Sequence, residues 1–170
     1  MESPAVGNGA SAAGGGLPVV EPPHSIAQAR VDDKGRLKLP AEFVEYLKLL
    51  GVEKVFITTV DMKLARIYPI PVWKVNEVLF ENAGELAETA EDVAYIAKYY
   101  GGDSDIDAQG RVLMPALLRK ELDLEAQPVW LDVYKGRINV AGKSMHEERL
   151  NRAKANLPDK AKTLDKKGMK

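Results

Sequence analysis

Two arginines have the residue type and spacing to do chemistry: Arg36 and Arg111 each follow an aspartate by four residues and a glycine by one. A guanidinium group binds a carboxylate, a phosphate or the edge of a guanine base through two parallel hydrogen bonds. The residues alone leave two interpretations open. Asp32 and Asp107 could pair with these arginines and lock a hairpin, which contributes about 0–1 kcal/mol when the pair is exposed. They could also orient arginines that contact phosphates or bases.

Both arginines belong to a sequence frame that occurs twice. Residues 31–41 and 106–116 share the pattern apolar-Asp-x-x-Gly-Arg-apolar-x-apolar-Pro-Ala, and every matched position is offset by 75 residues. The glycine supplies the positive φ that a tight turn needs. The aspartate at the start of the turn can accept hydrogen bonds from the amides two or three residues further on. A duplicated unit of this kind indicates two related halves.

The chain around each copy predicts the elements that position the turns. Each half is expected to run strand, turn, strand, helix, strand, turn, strand. The helices are predicted over 42–50 and 117–124, and the later strands over 54–60, 64–68, 128–134 and 137–141.

The strand that returns from each turn differs between the copies. In the first copy, Leu37 lies between Arg36 and Lys38, so one face is apolar and the other is basic. In the second copy, Val112 is followed by two more apolar residues, Leu113 and Met114. This run predicts a strand that is covered on both faces.

Composition divides the chain into five segments. The predicted segments are a disordered, Gly-, Ala- and Pro-rich tail over 1–25, a first half over 26–70, a helical insert over 71–104, a second half over 105–142, and a helix with a lysine-rich tail over 143–170. The insert is expected to form a hairpin of helices over 71–83 and 86–99. Trp73 within it is interpreted as a packing anchor rather than a residue that stacks on a ligand.

Charge is unevenly distributed along the chain. The whole chain has a net charge of −1, which divides into −6 for residues 1–142 and +5 for residues 143–170. An acidic body argues against broad, unspecific coating of DNA. Any contact with nucleic acid must therefore come from local basic strips.

The residues indicate neither an enzyme nor a metal protein. There is no cysteine, hence no thiolate nucleophile, and no run of about 20 apolar residues that would suggest a membrane span. His24 lies in the predicted tail and His146 is expected to face solvent, so neither has an obvious catalytic partner. Asp103, Asp105 and Asp107 alternate, but the glycine and distal glutamate of a calcium loop are missing. We therefore expect no cofactor, metal or small-molecule ligand.

The duplicated motif resembles that of the MraZ family of bacterial transcriptional regulators, within the AbrB/SpoVT swapped-hairpin superfamily of DNA-binding proteins. The resemblance covers roughly residues 26–142 and rests on Asp-x-x-Gly-Arg-x-x-x-Pro-Ala occurring twice around a helical insert. Residues 63–73 also look like the strand and Tyr-Pro/Trp element that closes the family's first half.

The resemblance implies a fold and an assembly. The implied fold is α+β, a tandem pseudo-repeat that forms a swapped-hairpin (double-psi-like) β-barrel of AbrB type with peripheral helices. The implied assembly is a homo-oligomeric ring that binds short repeats in the double-stranded promoter DNA of the division and cell-wall gene cluster. Members of the family are found in the cytoplasm and on the nucleoid, so the same location is expected.

The resemblance also implies site residues by position. The arginines expected to face DNA are Arg36 and Arg111. The residues that accompany them in the motif or flank it are Asp32, Asp107, Lys34 and Lys38. The family usually carries an arginine three residues after the Pro-Ala pair; the second half keeps it as Arg119, whereas the first half has Val44.

An alternative function is a protein-interaction module on the same barrel that assembles but does not bind DNA. The acidic balance of the chain and Val44 support this alternative modestly. Assembly without promoter binding would favour it.

Overall fold

The computed structural model describes residues 19–170, and the first part of the predicted N-terminal tail lies outside the described residues. Within the remainder of that segment, Val20 packs against the hydrophobic core. His24 Nε2 lies 2.7 Å from Glu21 Oε1, an exposed contact between neighbours in sequence.

The chain folds as a mixed α+β protein, which confirms the expected class. The first half contributes β1 (Ala27–Arg30), β2 (Arg36–Lys38), α1 (Ala41–Leu49), β3 (Lys54–Thr58) and β4 (Ala65–Pro69). The middle contributes α2 (Ile70–Glu81), a 3₁₀ turn (Gly84–Leu86) and α3 (Ala87–Tyr100). The second half contributes β5 (Gly102–Asp105), β6 (Arg111–Leu113), α4 (Ala116–Glu121), β7 (Pro128–Tyr134) and β8 (Arg137–Ala141). The last helices are α5 (Lys143–Lys154) and α6 (Leu157–Asp165).

The two halves exchange their first strands. The larger sheet runs β1-β7-β8-β4-β3-β5, so β1 of the first half pairs with β7 of the second, and β5 of the second half pairs with β3 of the first. By the sequence repeat, β1, β3 and β4 are equivalent to β5, β7 and β8. Replacing each strand by its equivalent gives the same order read from the opposite end of the sheet. A separate two-stranded sheet joins β2 to β6. Among residues 19–170 the strand ladders form these two open sheets and do not close into a barrel.

The core lies between these sheets and the helices of the two halves. Leu37 and Val112, which are equivalent residues of β2 and β6, both turn inward and are 0% and 1% exposed. Phe43 of α1 and Leu118 of α4 are fully buried in the same cluster. The apolar face predicted for the first return strand is therefore confirmed.

The inserted helices form a second, smaller core. The ring of Trp73 in α2 lies 4.8 Å from that of Phe56 and 4.9 Å from that of Tyr68 between centroids, and the side chain is 8% exposed. Thr58, which is buried, donates from its hydroxyl to the Ala97 carbonyl of α3 at 2.7 Å. These contacts attach the helical pair to the sheet and confirm Trp73 as a packing anchor.

Replacing Trp73 by alanine should lower the free energy of unfolding by about 3–5 kcal/mol, because it removes a large buried ring and leaves a cavity. Val78 on the same helix is 60% exposed. Val78→Ala is the matched control and should change stability by no more than about 0.5 kcal/mol. Urea unfolding of both variants measures the difference, and equal losses would contradict the assignment.

The C-terminal segment forms two helices rather than one. Asn156 adopts a positive φ of 54° between α5 and α6, which breaks the helix ahead of Leu157. His146 of α5 stacks on Trp130 of β7, with ring centroids 4.3 Å apart and planes 5° apart. His146 is therefore half-buried against the sheet, and the expectation that it faces solvent is wrong. No helix among residues 19–170 is long and apolar enough to cross a lipid bilayer.

Candidate nucleic-acid interface

The first turn, residues 32–36, is closed by hydrogen bonds to Asp32. One carboxylate oxygen of Asp32 accepts from the amides of Lys34 and Arg36, both at 2.9 Å, and the other accepts from Arg36 Nε at 3.0 Å. Gly35 has a φ of +85°, which a residue without Cβ adopts without strain.

The second turn, residues 107–111, repeats this arrangement. Asp107 accepts from the amides of Gln109 and Arg111 at 2.9 Å and from Arg111 Nε at 2.8 Å. Gly110 has a φ of +76°. The amides bound to each aspartate are two and four residues on, whereas the sequence predicted two or three, because the aspartate reaches across the turn to the first residue of the return strand.

The two aspartates make the turns sensitive to acid. The hydrogen bond from the Arg36 amide is the main cause that lowers the pKa of Asp32 below its ordinary 3.8, and the Arg111 amide does the same for Asp107. The unfolded carboxyls bind protons at higher pH than the folded ones. The turns therefore contribute stability that is fully present above the ordinary pKa and is lost as the pH falls through the lowered folded values.

We expect wild type to lose stability more steeply below about pH 4 than the Asp32→Asn/Asp107→Asn double variant does. The reason is that asparagine does not titrate, so this source of acid sensitivity is removed. Urea unfolding at a series of pH values measures the two slopes. Parallel curves for both proteins would show that the aspartates do not link the turns to pH.

The β2–β6 ladder brings the two arginines onto one surface. Arg36 lies opposite Leu113, and Lys38 lies opposite Arg111. Since Leu37 and Val112 between them point into the core, these four side chains share the outer face of the ladder. We call this the basic face, defined by Arg36, Lys38, Arg111 and Leu113. Lys34 is exposed at the tip of the first turn.

The two Nη groups of each arginine have no hydrogen-bond partner among residues 19–170. Arg36 and Arg111 use only Nε to bind their aspartates, and within residues 19–170 neither makes a hydrogen bond through its two Nη groups. The side chains are 32% and 26% exposed. The aspartates thus fix the orientation of both guanidinium groups, and the paired Nη donors remain available for an oxyanion or a base edge. Asp32 and Asp107 can therefore both close their hairpins and orient the arginines, so the two interpretations left open by the sequence are compatible.

Leu113 corrects one prediction from the sequence. The run of apolar residues in β6 predicted a strand covered on both faces, yet Leu113 is 53% exposed. Only the inner face of the two-stranded ladder packs on the core, and in the described part of this chain no layer covers the outer one.

The residues beneath the two turns differ. A Cβ built on Gly35 would overlap the guanidinium of Arg119, whereas one built on Gly110 would lie 2.8 Å from Cγ2 of Val44. Val44 and Arg119 are equivalent by the 75-residue offset. Each half therefore supports the turn of the other half, and the first turn rests on a cation where the second rests on a methyl group.

Arg119 joins the first turn to the return strand of the second half. Its side chain is 14% exposed, and Nη1 donates to the Met114 carbonyl. The Met114 amide in turn donates to the Gly35 carbonyl at 2.9 Å. Nε of Arg119 is buried without a hydrogen bond, and Glu125 Oε2 lies 3.7 Å away. The sequence identified Arg119 as a motif position equivalent to Val44, but its place under Gly35 follows from the strand exchange between the halves.

The remaining acidic residues and histidines are the candidate metal ligands. Among residues 19–170, no group of three or more His, Asp or Glu side chains is arranged to hold a metal ion. Asp103 and Asp105 lie on β5, where they pair with Phe56 and Lys54 of β3.

The chain is thus a tandem-repeat α+β protein that presents two Asp–Arg turns on one face. Its relatives include proteins named transcriptional regulator MraZ from Acidobacterium capsulatum, 37% identical over 59% of this chain and 68% of the relative, and from Koribacter versatilis, 34% identical over 58% and 67%. A relative of the same name from a Thermoanaerobacter species is 28% identical over 79% of this chain and 91% of the relative. No family model matches the chain. On these similarities the chain belongs to the MraZ family.

Proposed function

We propose that this chain is a sequence-specific, DNA-binding transcriptional regulator and that its basic face contacts DNA. The observation that carries the proposal is the pair of arginines on the β2–β6 ladder, each held by an aspartate through Nε and open at its Nη edge. A guanidinium presented in this way forms two hydrogen bonds to a guanine edge or to a phosphate. The names of the relatives support the same function.

The mechanism depends on several copies acting together. Arg36, Lys38 and Arg111, with Lys34 at the turn, are few cations for tight binding, and Asp32 and Asp107 offset part of their charge. We therefore propose a homo-oligomeric ring whose subunits engage short promoter repeats of the division and cell-wall gene cluster, so that affinity comes from multivalency. Such a regulator would act in the cytoplasm, on the nucleoid.

The barrel of the family is proposed for this chain on the basis of its strand exchange. The first strands of the two halves pair with the opposite half, as a swapped-hairpin arrangement requires. An isolated bridge between Val31 and Leu37 connects the edge of the larger sheet with β2. We propose that the β1–β2 and β5–β6 hairpins fold across the open side of the larger sheet in this way.

The test of the function is fluorescence-anisotropy titration of the full chain with DNA from upstream of its own gene and with a scrambled duplex of equal length. We expect selective binding that weakens as salt rises, because phosphate contacts release counterions. Equal affinity for the two duplexes by a folded, assembled protein would favour the interaction module that does not bind DNA.

A reciprocal exchange of Lys34 and Gln109 tests whether the two turns carry different numbers of phosphate contacts. Lys34→Gln should lower the slope of log K against log salt by about 1, and Gln109→Lys should raise it by about 1, since each phosphate contact contributes about 0.9. Both positions are exposed, so stability should not change. Identical slopes for wild type and both variants would remove Lys34 from the interface.

A further inference from the structure

A second group of arginines lies outside the turns, on the neighbouring strands β4 and β8. Ile67 pairs with Ile138, and Arg66 lies opposite Asn139. Arg66 and Arg137 are each one residue from the paired isoleucines and share a face of the sheet with Tyr68, whose ring contacts Trp73 of α2. Nothing in the proposed contact with DNA uses these two arginines.

The two arginines line a cleft of about 460 Å³ between the sheet and the inserted helices. A third cation, Lys135, lines the same cleft from the β7–β8 turn. The opposite wall is mostly apolar and is formed by Val72, Val75, Phe80 and Val93, with Asn76 as its polar member. No carboxylate among residues 19–170 lines this cleft, although the chain as a whole carries a net charge of −1.

The guanidinium of Arg66 is only partly satisfied by its neighbours. Nη1 donates to the Tyr68 hydroxyl at 3.0 Å, and Nη2 forms an ion pair with Asp61 Oδ2 at 3.4 Å. Nε is buried and has no hydrogen-bond partner in the described part of the chain. A buried donor without an acceptor is costly, which marks a place that an added acceptor would stabilise.

Arg137 has a neutral partner rather than a carboxylate. Its Nε donates to Asn139 Oδ1 at 3.1 Å, and its Cζ lies 5.3 Å from the centroid of the Tyr134 ring, as does Lys135 Nζ. Among residues 19–170, neither Lys135 nor Arg137 has a carboxylate within 4.0 Å. Burial first, and then the positive charge of Arg66, lower the pKa of Arg137, and the nearby Tyr68, Tyr134 and Asp132 offset this only in part.

We propose that this cleft binds a small molecule that carries a phosphate group on an apolar body. Arg66 and Arg137 would bind the oxyanion through parallel hydrogen bonds, and Lys135 would add a point charge. The apolar wall would pack on the body of the ligand. The volume of the cleft lies within the range of small-molecule sites and suits a ligand of about one ring.

Calorimetric titration of the full chain with three probes tests the site. The probes are inorganic phosphate for the oxyanion alone, phenyl phosphate for the oxyanion with an apolar body, and phenol for the apolar body alone. We expect phenyl phosphate to bind about tenfold more tightly than phosphate and phenol not to bind. Arg66→Gln/Arg137→Gln should weaken phenyl phosphate by at least about tenfold. The control Arg30→Gln/Lys48→Gln removes two exposed cations elsewhere and should leave binding unchanged.

Thermal unfolding separates a ligand site from a structural role. Without ligand, the Arg66→Gln/Arg137→Gln variant should melt within about 5 °C of wild type, because removing two facing cations offsets the loss of the Arg66–Asp61 ion pair. Phenyl phosphate should raise the melting temperature of wild type and not that of the variant. Equal binding by wild type and variant, or no binding of either phosphate probe, would overturn the proposal.

Two further results would reassign the cleft. A change in the size of the assembly in the Arg66→Gln/Arg137→Gln variant, measured by light scattering without ligand, would make the cleft a contact between copies and overturn the proposal. Sedimentation with phosphatidate vesicles that depends on the two arginines, without binding of phenyl phosphate, would assign the oxyanion to a lipid and overturn the soluble ligand.

Discussion

The Arg36→Ala/Arg111→Ala double variant is expected to lose its preference for the upstream DNA, with affinity for that duplex falling by about 100-fold or more. Each two-point contact of an arginine with a base edge contributes about 1–3 kcal/mol of discrimination, and the double variant loses both. The aspartates still accept two amide hydrogen bonds each. Stability should therefore change by only about 1 kcal/mol per exposed pair.

The control for this experiment removes the same charge from elsewhere. Lys48 and Lys98 are exposed on α1 and α3, and Lys48→Ala/Lys98→Ala changes the net charge by the same amount. We expect this control to retain the preference for the upstream duplex. Anisotropy titrations at one salt concentration measure both variants. If the arginine variant binds as well as wild type, the basic face is not the DNA contact.

Gly35→Ala is expected to be the most damaging substitution within the turns, with a loss of about 3 kcal/mol or more in the free energy of unfolding. A positive φ costs an alanine about 1–2 kcal/mol. At Gly35 the added methyl group would also overlap the guanidinium of Arg119, which is 14% exposed and would have to give up its hydrogen bond to the Met114 carbonyl in order to move. The loss should appear in both urea unfolding and DNA affinity.

Two other glycines separate backbone strain from the clash. Gly51 has a φ of +75° and nothing within 4 Å of an added Cβ, so Gly51→Ala should lose only the backbone term. Gly110→Ala should fall between the two, because Val44 lies 2.8 Å from the added atom. Arg119→Ala in the Gly35→Ala background should recover part of the loss. Equal losses at Gly35 and Gly51 would show that Arg119 does not support the turn.

Much of each turn could be predicted from the sequence, because its geometry is local. The positive φ of Gly35 and Gly110 and the acceptor role of Asp32 and Asp107 follow from residues within five positions of one another. The repeat of strand, turn, strand, helix, strand, turn, strand was predictable for the same reason. The helical pair of the insert followed from apolar spacing, and Trp73 was separately interpreted as a packing anchor.

The features that the sequence did not predict depend on distant residues. The exchange of first strands pairs β1 with β7, whose residues are about 100 positions away in the sequence. Nothing in the local sequence of β1 distinguishes this pairing from one within its own half. The position of Arg119 under Gly35 depends on that exchange. Leu113 was predicted to be covered because it belongs to an apolar run. The pattern of apolar residues shows what a strand presents on each face, but not whether another layer packs on that face. The division of the chain into five segments and the contacts of the site residues with DNA remain predictions.

The strand order that reads the same from both ends gives this single chain an internal two-fold axis, which in a homodimer would relate identical subunits. A homodimer must present the same residue on both sides of its axis and is therefore matched to palindromic DNA. Here the two sides differ: the residue equivalent to Lys34 is Gln109, and the residue equivalent to Val44 is Arg119. A DNA-binding surface whose two sides carry different residues is asymmetric. If the basic face binds DNA as proposed, each subunit should therefore bind its site in one orientation, and inverting the site should change the affinity.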